Sequence, residues 1–155
     1  MKNELTNFLV EAKRKGYAGE DSEWTKLKNG ERQFNFDKNP FTYRDSYILS
    51  DSKKSFSGRE LVWRRNKAVW TMNYQGIILP SSIRTSVDEI YKFLRKSLRE
   101  IPEEFPFRGP ANFEDGDFTY RNILSGDLEC FSGIELISKR KTTFYKLNYH
   151  GLTLK

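Results

Sequence analysis

Cysteine is almost absent from this chain of 155 residues, whose only thiol is Cys130. A single cysteine excludes an internal disulfide and any metal site built from several cysteines. No apolar run approaches the length needed to cross a membrane, and the first residues do not form a signal-peptide pattern. We therefore predict a cytoplasmic protein with no membrane partner.

Patterns that support catalysis are equally scarce. The only histidine is His150, and the sequence contains no Ser-His-Asp arrangement, no phosphate-binding glycine-rich loop and no metal-ligand spacing. We therefore predict no cofactor, no metal and no catalytic residues. An unrecognised hydrolase or small toxin stays open as an alternative, because a missing motif is weak evidence.

Aromatic residues, in contrast, are abundant, with 12 Phe, 8 Tyr and 3 Trp. Each buries a large apolar area, so they predict a folded core despite a hydrophobic content of only 37%. The length suits one domain.

An internal repeat dominates the sequence. Residues 56–79 begin with Phe-Ser-Gly and contain Asn-Tyr-x-Gly, and residues 131–154 carry the same matches 75 positions later. A shorter match relates Phe-Thr-Tyr-Arg-Asp at 41–45 to Phe-Thr-Tyr-Arg-Asn at 118–122. We therefore interpret residues 1–155 as a single domain made of two repeats, about 1–80 and 81–155.

Each repeat is predicted to consist of one helix and three strands. Apolar residues at helical spacing predict helices at 3–15 and 86–99, the second opened by a Ser86–Glu89 capping box. Segments 17–39 and 101–117 are predicted as loops, with residues 33–36 as a candidate edge strand. The predicted fold class is α+β, an αβββ-αβββ duplication whose mostly antiparallel sheet has both helices packed on one face.

Residues that both repeats share are given structural interpretations. Gly58 and its counterpart Gly133 are predicted to lie in turns or bulges that need a positive φ. Arg44 and Glu60 are predicted to form an ion pair, which the second repeat would reproduce.

Residues that differ between the repeats are better candidates for function, because duplication frees one copy to specialise. If Tyr47, Trp63 and Trp70 line a cleft between the halves, with Arg44 and Asp45 as polar groups, they form a small-molecule pocket. The alternative is that these aromatic residues belong to the core.

The proline-rich segment 105–110 is a second candidate site. Its prolines stiffen the chain and present Arg108 as a fixed cation that could clamp a carboxylate or phosphate. A packed connection, in which the neighbouring Phe side chains fill the core, is the alternative.

Four stretches together resemble a known family: Tyr-Arg-Asp-Ser-Tyr at 43–47, Gly58-x-Glu60, Trp-x-Met-Asn-Tyr-x-Gly at 70–76 and Glu-Phe-Pro-Phe-Arg-Gly-Pro at 104–110. The chain resembles DUF5680, a bacterial domain of unknown function found free-standing or after a helix-turn-helix of the Cro/C1 type. The two repeats fill almost the whole chain, so we expect no DNA-binding part here. The resemblance implies a regulatory or sensing module and supplies no catalytic residues.

The sequence as a whole thus predicts a non-enzymatic domain that binds a small molecule or a partner segment in a cleft between the repeats, as a monomer or homodimer. The alternative follows from the net charge of +6, of which the first half carries most. In that alternative the protein binds nucleic acid through its basic first half, with contacts from Lys53, Lys54, Arg64 and Arg65.

Overall fold

Two helices and nine strands follow one another in the computed structural model, which describes residues 2–81 and 84–155. The helices are α1 (Lys2–Lys15) and α2 (Val87–Arg99). The strands are β1 (Thr25–Lys26), β2 (Arg32–Lys38), β3 (Phe41–Leu49), β4 (Ser55–Arg64), β5 (Lys67–Ile78), β6 (Asn112–Asp115), β7 (Phe118–Asp127), β8 (Cys130–Lys139) and β9 (Thr142–Thr153).

All nine strands form one antiparallel sheet in the order β1-β2-β3-β4-β5-β9-β8-β7-β6. The predicted antiparallel sheet is therefore confirmed, but the prediction of three strands per half is wrong. β1 and β6 lie in segments predicted as loops, and β2 extends the candidate edge strand. The side chains of β2 explain its length, since Phe34 is buried and the ring of Phe36 stacks on Phe8 of α1 at 5.7 Å.

The two central hairpins share their register. Gly58 of β4 pairs with Tyr74 of β5, and Gly133 of β8 pairs with Tyr149 of β9. Both hairpins turn through two residues of positive φ, Arg65-Asn66 and Arg140-Lys141, which suits the right-handed twist of paired strands. β5 and β9 then pair with each other, with Tyr74 opposite Tyr149, and so join the two hairpins into one sheet.

Gly58 and Gly133 are required for a reason other than the predicted one. Neither lies in a turn, and neither is among the residues of positive φ. A Cβ added at Gly58 would lie 2.3 Å from the Tyr74 ring, and one at Gly133 would lie 2.2 Å from the Tyr149 ring. Each glycine therefore allows the tyrosine opposite to lie flat across the neighbouring strand.

Both helices cover the same face of the sheet. α1 reaches it through Lys13, which pairs with Glu60 of β4, while the ring of Tyr91 in α2 packs 6.0 Å from that of Phe56. Phe56 and Glu60 point to one face because they are four residues apart in one strand. The capping box predicted for α2 is confirmed, with reciprocal bonds between Ser86 and Glu89. Neither helix of the described ranges is long and apolar enough to cross a membrane.

The opposite face of the sheet is open to solvent and carries both apolar and charged side chains. Its exposed apolar residues are Ile48, Ile77, Ile123 and Leu152. Trp63 also lies on this face, beneath Arg44, whose guanidinium is 5.4 Å from the Trp63 ring.

Trp70 lies on the helix-covered face and is completely buried. Its ring stacks against Phe131 at 5.8 Å. Trp70→Ala should lower the free energy of unfolding by about 3–5 kcal/mol, because a large cavity replaces a packed ring. Trp70→Phe should cost less, since the indole N–H it removes has no hydrogen-bond partner among the described residues.

Urea denaturation measures both losses. Trp63→Ala is the matched control and should cost only about 0.5–1 kcal/mol, because Trp63 is on the open face. Equal losses for the two alanine variants would contradict this assignment of Trp70 to the core.

Candidate functional site

A cavity of about 290 Å³ lies between the two helices and the first half of the sheet. The end of α1, strands β2 to β5, one face of α2 and the segment that follows α2 line it. Its walls are rich in aromatic rings, contributed by Tyr17, Tyr43, Tyr47, Phe56, Tyr74, Tyr91 and Phe107. This combination of apolar walls and a few polar groups is typical of small-molecule sites.

The carboxyl group of Asp45 lines this cavity and belongs to a buried residue, only 5% of whose surface is exposed. The Tyr74 hydroxyl donates a hydrogen bond of 2.6 Å to its Oδ1. Burial, aided by the nearby Glu60 carboxylate, raises the pKa of Asp45 to about 7. The group therefore changes its charge near neutral pH.

Glu60 is ion-paired with Lys13 of α1 beside Asp45. Lys13 also donates a hydrogen bond of 2.8 Å to the carbonyl of Phe107. Burial lowers the pKa of Lys13, whereas the charge of Glu60 acts in the opposite direction. The ion pair therefore ties α1 to the sheet and to the segment after α2.

Arg108 forms the second buried ion pair, with Glu135 of β8. Its Nε and Nη2 donate to the two carboxylate oxygens of Glu135 at 2.9 and 2.8 Å. The hydroxyls of Tyr120 and Tyr145 donate to the same carboxylate at 2.6 and 2.9 Å. Arg108 lines the cavity, but its guanidinium is already engaged by this bidentate pair.

The six residues predicted for ligand binding are divided among three places. Asp45, Tyr47 and Arg108 line the cavity. Trp70 is in the core, and Arg44 and Trp63 are together on the open face. The structure therefore brings three of the six together, and ligand binding by them stays a prediction.

The predicted ion pair between Arg44 and Glu60 is wrong. The two residues lie on opposite faces of the sheet, and Arg44 donates instead to the side chain of Asn35 at 3.1 Å. Glu60 pairs with Lys13, and its counterpart Glu135 pairs with Arg108.

Sequence reasoning missed several residues of the cavity. Glu60 and Tyr74 have identical residues 75 positions later in the sequence and so indicate structural roles, and Lys13 suits the C-terminal end of any helix. The available signal for Lys13 was its position four residues after Leu9, on the apolar face of α1, where a solvent-exposed lysine is not expected.

The basic residues predicted to bind nucleic acid do not form one patch. Lys53 and Lys54 lie in the turn before β4, and Arg64 and Arg65 lie at its other end. A strand of ten residues separates them by roughly 30 Å. Nucleic-acid binding stays a prediction without a continuous surface to support it.

Metal ligands are not grouped anywhere in residues 2–81 and 84–155, where no three His, Cys, Asp or Glu side chains are placed to share an ion. His150 and Cys130 are both exposed on the sheet.

Asp45→Asn should stabilise the protein at neutral and alkaline pH. The pKa of Asp45 is higher in the folded protein than the value near 3.8 of the unfolded chain. Ionisation of Asp45 therefore lowers the free energy of unfolding as the pH rises from about 4 to 7, and this loss of stability stays constant at higher pH. The geometry accommodates an amide here, since Asn122, at the matching position of β7, accepts a hydrogen bond from Tyr149 at 2.8 Å.

Urea denaturation of both proteins at pH 5 and pH 8 measures this difference. The advantage of Asp45→Asn should be larger at pH 8 by on the order of 2 kcal/mol. A difference between the two proteins that does not vary with pH would contradict the buried, titrating carboxyl.

Arg108→Ala should destabilise the protein by about 3–5 kcal/mol, because Glu135 would stay buried without its cation. Arg44→Ala removes the same charge from an exposed site and should change stability by about 0.5 kcal/mol or less. Thermal and urea unfolding measure both. A loss for Arg108→Ala as small as that for Arg44→Ala would disprove the structural role of the buried pair.

Comparison with known proteins places most of the chain within one family model. The model of a family described as "Domain of unknown function (DUF5680)" matches residues 45–154. No curated protein matches the chain significantly. No solved structure does so either.

Proposed function

The chain belongs to the DUF5680 family of domains of unknown function, and we propose that it is a non-enzymatic domain that binds a small molecule in the cavity beneath its helices. The observation that carries the proposal is the cavity itself, about 290 Å³ in volume and lined by seven aromatic rings around the buried carboxyl of Asp45. A recess with mostly apolar walls and a few polar groups is the usual form of a small-molecule site.

The loss of stability caused by the buried carboxyl of Asp45 supports the same proposal. A buried carboxyl with a raised pKa lowers the stability of the fold, and such groups are concentrated at functional sites. Asn122 at the matching position of β7 shows that a neutral side chain accepts the same tyrosine hydrogen bond. The carboxyl of Asp45 is therefore not needed to keep Tyr74 in place.

The position of the cavity fits a sensing or regulatory role. In our proposal the two halves are repeats of one unit, and α1 with the first half of the sheet faces α2 and the segment after it across the cavity. A ligand that contacts both helices would change how they are held relative to each other. This is the way in which a binding domain without catalytic residues transmits a signal.

A fragment screen by ligand-observed NMR, together with native mass spectrometry of the purified protein, tests the proposal. We expect bound fragments, or a co-purified molecule, that compete for one site. Leu49→Trp should abolish this binding, because Leu49 at the end of β3 lines the cavity and the larger side chain would fill it.

Ile48→Trp is the matched control. Ile48 is the neighbouring residue of the same strand, but it is 50% exposed on the open face. Binding should survive this substitution. If no fragment binds, or if Leu49→Trp leaves all binding intact while the protein stays folded, the proposal is wrong.

A further inference from the structure

The second half of the protein has a position that matches the cavity, but the chain itself fills it. Phe131 and Glu135 occupy the places on β8 that Phe56 and Glu60 occupy on β4, 75 residues earlier. Phe107 lies parallel on Phe131, with ring centroids 3.7 Å apart and 4° between the planes. Next to it, Arg108 forms its bidentate pair with Glu135. An aromatic ring and a guanidinium therefore occupy the second site.

Phe56 has a neighbour that matches Trp70 beside Phe131, but it has no neighbour that matches Phe107. Tyr145 lies 6.4 Å from Phe56 at 24°, as Trp70 lies 5.8 Å from Phe131 at 16°. Among the described residues, however, no ring lies on Phe56 at the short distance and parallel angle of Phe107 on Phe131. The ring that α2 brings to Phe56 is that of Tyr91, at 6.0 Å and 67°, which is an edge contact. Phe56 lines the cavity, and no described ring is stacked on it as closely as Phe107 is on Phe131.

The charges differ between the halves in a way that favours a cation. Lys13 neutralises Glu60, as Arg108 neutralises Glu135. The first half then has one more carboxyl, Asp45, where the second half has a neutral asparagine. Among the described residues Asp45 accepts the hydroxyl of Tyr74 but forms no ion pair of its own. Its charge is therefore left for something that enters the cavity.

The cations around Asp45 are either engaged or in contact with water. The buried Lys13 and Arg108 each have a carboxylate partner. Arg32 and Lys53 line the cavity but are exposed, which leaves their charges screened by solvent.

α2 contributes one group of each sign to the cavity. The half-buried Arg95 lies 4.8 Å over the Tyr17 ring, and Asp88 adds an exposed carboxylate. Among the described residues neither group pairs with Asp45, which is therefore the buried carboxyl of the cavity without an ion pair.

We propose that the cavity binds an organic cation with an aromatic ring at one end and a protonated amine or guanidinium at the other. The ring stacks on Phe56, and the cationic group pairs with Asp45. The inference rests on the proposed function, for which it specifies the class of ligand. Asp45 lies opposite Glu60 in the sheet. Glu60 is four residues from Phe56 along β4, so the Cα atoms of Glu60 and Phe56 are about 13 Å apart. The side chains span part of this distance, so a short chain joins the two ends of the ligand.

Three probes of one shape test the charge: 4-phenylbutylamine, 4-phenylbutanol and 4-phenylbutanoate. Their affinities are measured by protein-observed NMR titration at pH 8, at which Asp45 is ionised. We expect the amine to bind at least about tenfold more tightly than the alcohol, because a hydrogen bond between two charged groups is stronger than a neutral one. The carboxylate should bind no more tightly than the alcohol, and butylamine, which has no ring, should bind far more weakly.

Asp45→Asn should remove the preference for the amine over the alcohol, because the amide carries no charge to pair with the ammonium group. Asp37→Asn is the control, since it deletes the same charge from an exposed residue of β2 and should leave the preference intact. The spectrum of each variant reports at the same time whether it is folded.

The possible failures are distinguishable. If the three probes bind equally, if the carboxylate binds best, or if Asp45→Asn keeps the preference for the amine, the ligand class is wrong and the binding cavity stands. If none of the three binds while the fragment screen finds other occupants of the cavity, the ligand class is again wrong. If neither experiment finds binding, the proposed function is wrong as well.

Discussion

A carboxylate that stays charged when it is buried in a protein must be matched by a cation, and this constraint organises the helix-covered face of the sheet. Glu60 on β4 and Glu135 on β8 are both almost inaccessible to water, at 3% and 0% exposure. An unpaired charge at either place would cost several kcal/mol. Each half therefore brings a cation into its interior.

The buried cation comes from a different part of the chain in each half. In the first half Lys13 comes from α1, so the segment between α1 and β2 does not supply the cation. In the second half Arg108 comes from the segment after α2, and Phe107 is carried in beside it. The halves therefore differ both in the source of the cation and in the ring packed beside the carboxylate.

Much of the fold could be predicted from local patterns, because strand alternation, helical spacing and the capping box of α2 each depend on neighbouring residues. The short strands β1 and β6 could not be predicted, since a strand of two or four residues has too few positions for alternation to be visible. The partner of Glu60 could not be predicted either. Lys13 is distant in the sequence, and only the packing of α1 brings the two together.

The placement of Trp63 and Trp70 on opposite faces has one cause, a bulge in the β4–β5 hairpin, whereas alternation along β3 separates Arg44 from Asp45. Trp63 pairs with Ala68, and regular pairing from there would place Leu61 opposite Trp70, which would put both tryptophans on one face. The register shifts after Trp63, so that Val62 pairs with Trp70 and Val69 is the extra residue. Trp70 is thereby moved to the core. A sequence pattern without the register cannot show this one-residue shift.

Asp45 and Asn122 are similar in shape and occupy matching positions, but only Asp45 can carry a charge. Asp45 and Asn122 accept a tyrosine hydroxyl at 2.6 and 2.8 Å, in matching places beside matching carboxylates. A carboxylate at this place adds a second negative charge next to Glu60, which burial makes costly, whereas the amide adds none. The amide would therefore be the more stable choice in both halves. The use of the carboxyl only where the cavity is open is not explained by the folding of the sheet, and it supports our proposal that Asp45 serves a ligand.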